Sequence, residues 1–251
     1  MKLFTNRNWN NRVLSPSCFS SFYANGYLEY IAAYCILHPI RDHVASENKF
    51  VFDQKKAAAM YFWYEAADAE DKSIIRYFPE YETCIDAHHK KFNSNYGLYA
   101  KEGISRCINE LLSKKSSRQA CFLINNNVAM GPDSIDKLCT NAIMFLIRND
   151  FLYMNVQMRS SNMLTLLPYD FFIFSTWYAK VYNALIKEYP NLHVTEISVS
   201  ISSLHKYDSD QYAKSNCPVN THLDQIFSYD DMCNHNFKNI LEEKLFNFLK
   251  D

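Results

Sequence analysis

The chain has 251 residues, a formal net charge of −1, and 48% hydrophobic against 21% charged residues, enough apolar content to bury a sizeable core in one large domain or two small ones. A near-neutral balance with no Lys/Arg block excludes an electrostatic footprint for nucleic acid or an anionic membrane; a small anionic ligand needs only a local cluster of cations. The four glycines, at 26, 97, 103 and 131, exclude the Gly-rich fingerprints of dinucleotide and P-loop sites.

No run reaches the roughly 18 apolar residues that span a bilayer. The opening residues have no apolar core of the signal-peptide kind, so the expected location is cytoplasmic. The eight cysteines (18, 35, 84, 107, 121, 139, 217 and 233) contain no C-x-x-C pair and read as reduced thiols, most of them small core residues. The 18 Phe and 18 Tyr suit broad packed sheets or a dimer face.

Taken in order, residues 27–37 (YLEYIAAYCIL) fit either helix or strand. Residues 53–69 predict a helix capped by Asp53, with Met60, Trp63, Tyr64 and Ala67 on one face. Residues 78–92 are mixed, with Pro79 breaking any helix. His88-His89 reads as a solvated loop, because no Cys or carboxylate stands at ligand spacing. Residues 93–97 form a turn-rich loop, and 103–114 predict an amphipathic helix with Ile104, Cys107, Ile108, Leu111 and Leu112 on its stripe. A basic loop, a short strand at 120–124 and a loop at 125–136 follow. Segments 142–147 and 151–156 then read as a hairpin turned by Arg148-Asn149-Asp150. Residues 170–189 predict a buried, nearly all-apolar helix stopped by Pro190. Residues 194–204 alternate as a strand with one buried face, and 236–249 predict a closing helix. No repeat and no linker is visible. One α+β domain over residues 1–251, built on a large sheet, is the simplest organisation.

The residues that could carry chemistry are Arg118, Cys139, Arg159, Ser160, Asp170, His205 and Tyr207. Each alone has a plain structural reading. Cys139 could be a core thiol, Arg159 a surface ion-pair partner and Asp170 a helix N-cap.

As a set, their order and spacing resemble the thymidylate synthase superfamily. The resemblance rests on Asn93-Ser94-Asn95-Tyr96-Gly97, on Arg118 after a helix, and on Cys139-Thr140-Asn141 twenty residues before Arg159-Ser160. It continues in Leu167-Pro168-Tyr169-Asp170 and Ser203-Leu204-His205-Lys206-Tyr207. In detail these motifs look like those of the phage-type deoxycytidylate (dCMP) hydroxymethylases, and they span residues 93–207. The resemblance implies a thymidylate synthase-like α+β fold, a large mixed sheet packed by helices, with a sheet face forming a homodimer interface. It implies Cys139 as the nucleophile that adds to C6 of a pyrimidine ring, with Arg159 as the nearby cation. Arg159, Ser160 and an Arg118 given across the dimer would bind the 5′-phosphate. His205 and Tyr207 would bind the sugar hydroxyl, with Tyr96 also in the nucleotide site. Asp170 would read the base, since a carboxyl can accept from the cytosine amino group and, when protonated, donate to N3. The implied reaction is 5-hydroxymethylation of CMP or dCMP, with 5,10-methylenetetrahydrofolate as one-carbon donor and no metal.

Four positions depart from the family pattern. Met60 stands where the catalytic glutamate is expected, three residues before Trp63-Tyr64. Glu65, the nearest carboxylate, lies five residues on, about 140° round a helix. Gln119 replaces a second phosphate arginine, Asn162 a folate-anchoring aspartate, and Leu166 a glycine of the folate-side loop. Folate-independent cytidylate chemistry and a non-catalytic nucleotide-binding role therefore stand beside the hydroxymethyltransferase reading.

Overall fold

The computed structural model describes residues 18, 20–41, 52–85, 91–125, 135–210 and 225–250. Its centre is a six-stranded sheet of order β1-β2-β6-β5-β4-β3. The strands are β1 (Ser20–Ala24), β2 (Tyr27–Leu37), β3 (Cys121–Leu123), β4 (Thr140–Arg148), β5 (Phe151–Asn162) and β6 (His193–Tyr207). Only β5 and β6 run parallel; every other neighbour is antiparallel. The helices are α1 (Gln54–Ala66), α2 (Gly97–Ser113), α3 (Leu167–Leu185), α4 (Tyr229–Cys233) and α5 (Phe237–Lys250). The ambiguous stretch at 27–37 is thus a strand. It pairs with β6 on one side and β1 on the other.

The hairpin forms as its turn chemistry requires. Asn149 and Asp150 take φ of 49° and 62°, the left-handed pair of a two-residue turn that suits Asn and Asp. Both strands outrun the predicted segments, so Arg159 and Ser160 lie inside β5. One sheet face is buried under helices through Ile143, Phe145, Leu152, Met154, Val156, Ile197, Val199 and Ile201. The opposite face carries Tyr34, Tyr153, Asn155, Gln157, Ser198 and Ser200, all at least partly open. Pairing of β2 with β6 is interrupted at Ala32, with φ of 53°, between the Ile31–Ser203 and Ala33–Ile201 pairs, and the register is the same on either side. In β6 the burial phase changes beyond this point, where Leu204 rather than Ser203 is buried.

α3 makes the parallel crossover between β5 and β6 and is buried along most of its length. The Tyr178 hydroxyl donates to the Leu152 carbonyl at 2.8 Å and the Tyr182 hydroxyl to the Leu192 carbonyl at 2.8 Å. α3 starts at Leu167, three residues before the expected position. Asp170 is therefore not an N-cap; it sits in the first turn, its own N–H donating to the Leu166 carbonyl at 3.0 Å. α1 begins as predicted, with Asp53 Oδ1 accepting from the Lys55 and Lys56 N–H groups. It ends early, where Ala67 turns left-handed at φ 52°.

The expected start of α2 at Gly103 is corrected to Gly97. Leu98, Lys101 and Glu102 in the first turns are exposed, which hid the helical stripe. Asn95 fixes this start, its Oδ1 accepting from the Gly97 N–H at 3.1 Å and its Nδ2 donating to the Trp63 and Asp68 carbonyls. A Cβ on Gly97 would sit 1.8 Å from the Tyr64 carbonyl oxygen. The 78–92 stretch contains a short 3₁₀ helix, Pro79–Cys84. His88-His89 and Gly131-Pro132 lie outside the described residues. Among those residues no helix is long and apolar enough to cross a membrane.

Because backbone, not a side chain, meets that missing Cβ, Gly97→Ala should destabilise the fold by about 3 kcal/mol, read as a lower midpoint in urea unfolding.

Candidate active site

Cys139 ends the loop that enters β4, and the far end of β5 runs beside it. The Arg159 N–H donates to the Cys139 carbonyl at 2.8 Å. The guanidinium folds back over the same loop: Nε donates to the Leu138 carbonyl at 2.7 Å and Nη2 to the Lys137 carbonyl at 2.8 Å. Nη2 also lies 3.8 Å from the Cys139 Sγ. Two carbonyl anchors hold this planar cation in one orientation, so the expected thiol and guanidinium do meet.

Tyr96 reaches the loop from the start of α2. Its phenolic oxygen accepts from the N–H groups of Cys139 and Thr140, both at 3.3 Å. Asp170 reaches the same region from α3 and is 8% exposed. Ser161 Oγ donates to its Oδ2 at 3.4 Å. Burial pushes the Asp170 carboxyl up to about 7, and the Ser161 hydrogen bond only partly opposes this. Burial likewise pushes the Cys139 thiol up to about 11; Arg159 pulls it down, while the charges of Asp170 and Asp136 add to the rise. The thiol is therefore protonated at neutral pH until its surroundings change.

Ser160 and His205 come together where β5 and β6 run side by side, with Oγ and Nδ1 3.4 Å apart. Burial lowers His205 below the ordinary imidazole value, which favours a neutral ring that can both donate and accept. Tyr207 packs edge-on against His205 at 5.2 Å between ring centres and is 46% exposed.

Arg118 and Gln119 are not brought to this group within the chain. Both are exposed, next to Ser117, whose carbonyl accepts from Arg148 at the opposite end of β4 from Cys139. Met60 is buried in α1, 1% exposed, one turn before Tyr64. Glu65 points away, as its helical position implies, and forms ion pairs with Lys180 and Lys238. Asn162 is occupied: Nδ2 donates to Asp210 Oδ2 at 2.8 Å, and Oδ1 accepts from the Leu164 and Thr165 N–H groups. Leu166 stands half-buried at the entry to α3, and its carbonyl accepts from Tyr169 and Asp170.

Sequence reasoning missed three groups. Tyr64 stacks on Tyr96 at 5.3 Å with 19° between the rings. Tyr81, in the Pro79–Cys84 helix, stacks on Phe78 at 5.5 Å and tilts against Trp63 at 5.8 Å. Burial raises both phenols well above their ordinary value, and Tyr81 also feels the charges of Asp170, Tyr96, Cys139 and Asp136. Asp136, 4% exposed, holds the Ser94 N–H at 2.7 Å. For Tyr64 the available signal was its spacing of four from Met60 on one helix; nothing local points to Tyr81.

Thermostable thymidylate synthase A from Bacillus subtilis resembles this structure with a TM-score of 0.52 over 73% of this chain and 67% of that chain, at 14% sequence identity. The fold is thymidylate synthase-like. The expected α+β architecture is borne out, and at that identity the likeness speaks for the fold alone. No family model matches the chain, and no curated protein matches it. Among the described residues no group of three or more His, Cys, Asp or Glu could hold a metal ion.

The raised Asp170 carboxyl gives a signed pH dependence. Its proton is held more tightly in the folded chain, at about 7, than in an unfolded one, at about 3.9. Its effect on stability is thus neutral below about pH 4 and increasingly unfavourable up to about pH 7. Asp170→Asn should remove that decline, so the variant gains on the parent by a few kcal/mol between those limits, as measured by urea unfolding across pH.

Proposed function

We propose that this chain modifies C5 of a pyrimidine nucleotide, and specifically that it is a CMP or dCMP 5-hydroxymethyltransferase using a methylenetetrahydrofolate one-carbon unit. The observation that carries the reading is Arg159 fixed beside the Cys139 thiol, with the buried Asp170 carboxyl close enough for its charge to act on that thiol, on a thymidylate synthase-like fold.

In this reading Cys139 Sγ bonds to C6 of the ring, the C5–C6 double bond opens, and its electron pair makes C5 the carbon nucleophile. The thiol's proton passes to solvent water, and Arg159 stabilises the thiolate that attacks. Asp170, with a value of about 7, holds a proton for cytosine N3 and accepts from the amino group on C4. Uracil presents the opposite pattern at those two atoms. Arg159 Nη1, Ser160 and a partner chain's copy of Arg118 would take the 5′-phosphate. The neutral His205 ring and Tyr207 would bind the sugar hydroxyl. The open sheet face bearing Tyr34, Tyr153 and the serine rows is the surface through which a homodimer would form.

Trp63 stacks on Tyr64 and packs against Tyr81 in the helical layer, and such aromatic surface would suit a flat folate ring. The cofactor would supply the one-carbon electrophile for C5. Met60 and the occupied Asn162 favour a second reading, in which Cys139 adds to C6 and C5 chemistry proceeds without folate. Neither side chain offers the proton-transfer or anchoring group that the resemblance implies at its position.

Tritium release from [5-³H]CMP or [5-³H]dCMP should require Cys139 and vanish in Cys139→Ser. Release only with methylenetetrahydrofolate supports the transferase; release or turnover with folate omitted supports the second reading. No release from either nucleotide with any folate, or without one, would leave a binding protein at most. In the active chain, Asp170→Asn should swing the preference between dCMP and dUMP toward uracil by about tenfold or more in kcat/KM.

A further inference from the structure

A carboxylate on β2 stands beside the Ser160–His205 contact. Glu29 is the antiparallel partner of His205, so the two side chains leave the sheet on the same face. Ser203, two residues before His205 on β6, shares that face, and its hydroxyl donates to Glu29 Oε1. Ser203 is in turn the parallel partner of Ser160 on β5, and Ser160 Oγ lies 3.4 Å from His205 Nδ1. Four polar side chains from three neighbouring strands thus form one patch. The next pair along, Tyr27 and Tyr207, flanks it with ring centres 5.9 Å apart. Burial lowers the His205 ring and the Glu29 charge opposes that shift, in keeping with two groups opposite each other on paired strands.

Glu29 is half-buried, and the group that holds it is a neutral hydroxyl rather than a cation. Ser203 takes one carboxylate oxygen and restrains the group, which leaves Oε2 as a further acceptor. A carboxylate accepts and does not donate, so a ligand that completes it brings a hydroxyl or an N–H. Here the inference rests on the function proposed above, in which His205 and Tyr207 bind one hydroxyl of the nucleotide sugar. A deoxyribose 5′-nucleotide has one such hydroxyl, on C3′. A ribose nucleotide has a second on the adjacent C2′, cis to the first. Glu29 stands one strand over from His205, so it offers its oxygen beside the first hydroxyl rather than at the same atom. In dinucleotide sites an acidic side chain takes the ribose 2′-hydroxyl in this way.

We propose that Glu29 selects ribose: its carboxylate accepts from the 2′-hydroxyl of a bound cytidylate while His205 and Tyr207 hold the 3′-hydroxyl, so the site takes CMP in preference to dCMP. Ser203 is the positioning residue that keeps Glu29 in place. A deoxyribose would displace water from the carboxylate and return no hydrogen bond, a mismatch that costs more than a missing contact alone. In the arabinose epimer the 2′-hydroxyl lies on the opposite face of the sugar from the 3′-hydroxyl, so it cannot meet Glu29 and gains nothing.

The test is equilibrium binding of CMP, dCMP and the arabinose epimer of CMP to the full chain. The parent should bind CMP about tenfold or more tighter than either of the others. Glu29→Ala should bring CMP to the level of dCMP without weakening dCMP. Glu29→Gln, which keeps an oxygen acceptor but not the charge, should fall between. Ser203→Ala should reduce the preference and Ser203→Thr, which keeps the hydroxyl, should retain it; a merely structural role for Ser203 would lower both affinities alike. Thermal unfolding checks that each variant is folded. A parent that binds dCMP as tightly as CMP, or folded Glu29 variants that keep the parent's preference, overturns the assignment and leaves the cytidylate reading standing. A parent that binds none of the three nucleotides overturns both.

Discussion

The start of α2 meets the end of α1 so closely that no side chain fits between them. The Tyr64 carbonyl oxygen occupies the space that a Cβ on Gly97 would need, and Asn95 ties the same junction to the Trp63 and Asp68 carbonyls. This backbone contact sets the position of Tyr96, one residue away, and with it the stack of Tyr96 on Tyr64. The Tyr96 hydroxyl in turn fixes the amides of Cys139 and Thr140. The loop that presents the thiol is thus positioned from two sides, by a phenol from the helical layer and by the Arg159 fork from β5. Gly103 repeats the device further along α2, where a Cβ would fall 2.4 Å from the Phe122 ring and the helix is seated on β3. Close-packed interiors transmit such constraints, because neighbours have little room to adjust.

The electrostatics of the site follow from what is buried there. Two carboxyls, three phenols and a thiol share the region, and Arg159 is the cation whose charge Cys139 feels most. Desolvation is the largest influence on each of these groups, which keeps the thiol and the phenols neutral in the free protein and leaves Asp170 near its midpoint. A site of this kind is a reservoir of hydrogen-bond donors rather than of charge.

Much of the fold was legible because local chemistry and burial agreed. Asn149-Asp150 demanded a hairpin, the apolar run after Asp170 demanded a buried helix, and the Ile-Val-Ile alternation demanded a strand. The boundaries that slipped were those decided by distant contacts. α2 begins at Gly97 through its fit to Tyr64, not through any stripe of its own, and α3 begins ahead of Asp170 because Pro168 occupies its first turn. The break in pairing at Ala32 lies against a strand about 170 residues away and leaves no mark nearby. In the site, Cys139, Arg159 and Asp170 could be named from motif spacing. Tyr81 could not, since its place beside them is set by stacking on Phe78 and Trp63.

The Asp170 and Cys139 protons are linked, and the sign of the link bears on how a substrate would start the chemistry. Ionised Asp170 raises the thiol, so losing the Asp170 proton works against forming the thiolate. At neutral pH the carboxyl stands near its midpoint, where a ligand needs little free energy to decide its state. On the proposed reading, cytosine N3 accepts a hydrogen bond from the protonated carboxyl and so favours that form. Binding the base would then remove a negative charge from the thiol's surroundings just as Arg159 becomes the dominant neighbour. Uracil, which offers N3–H, would favour ionised Asp170 and hold the thiol in its unreactive state. The residue that reads the base would thereby also govern whether the nucleophile is ready, and discrimination would extend from binding to the first bond-forming step.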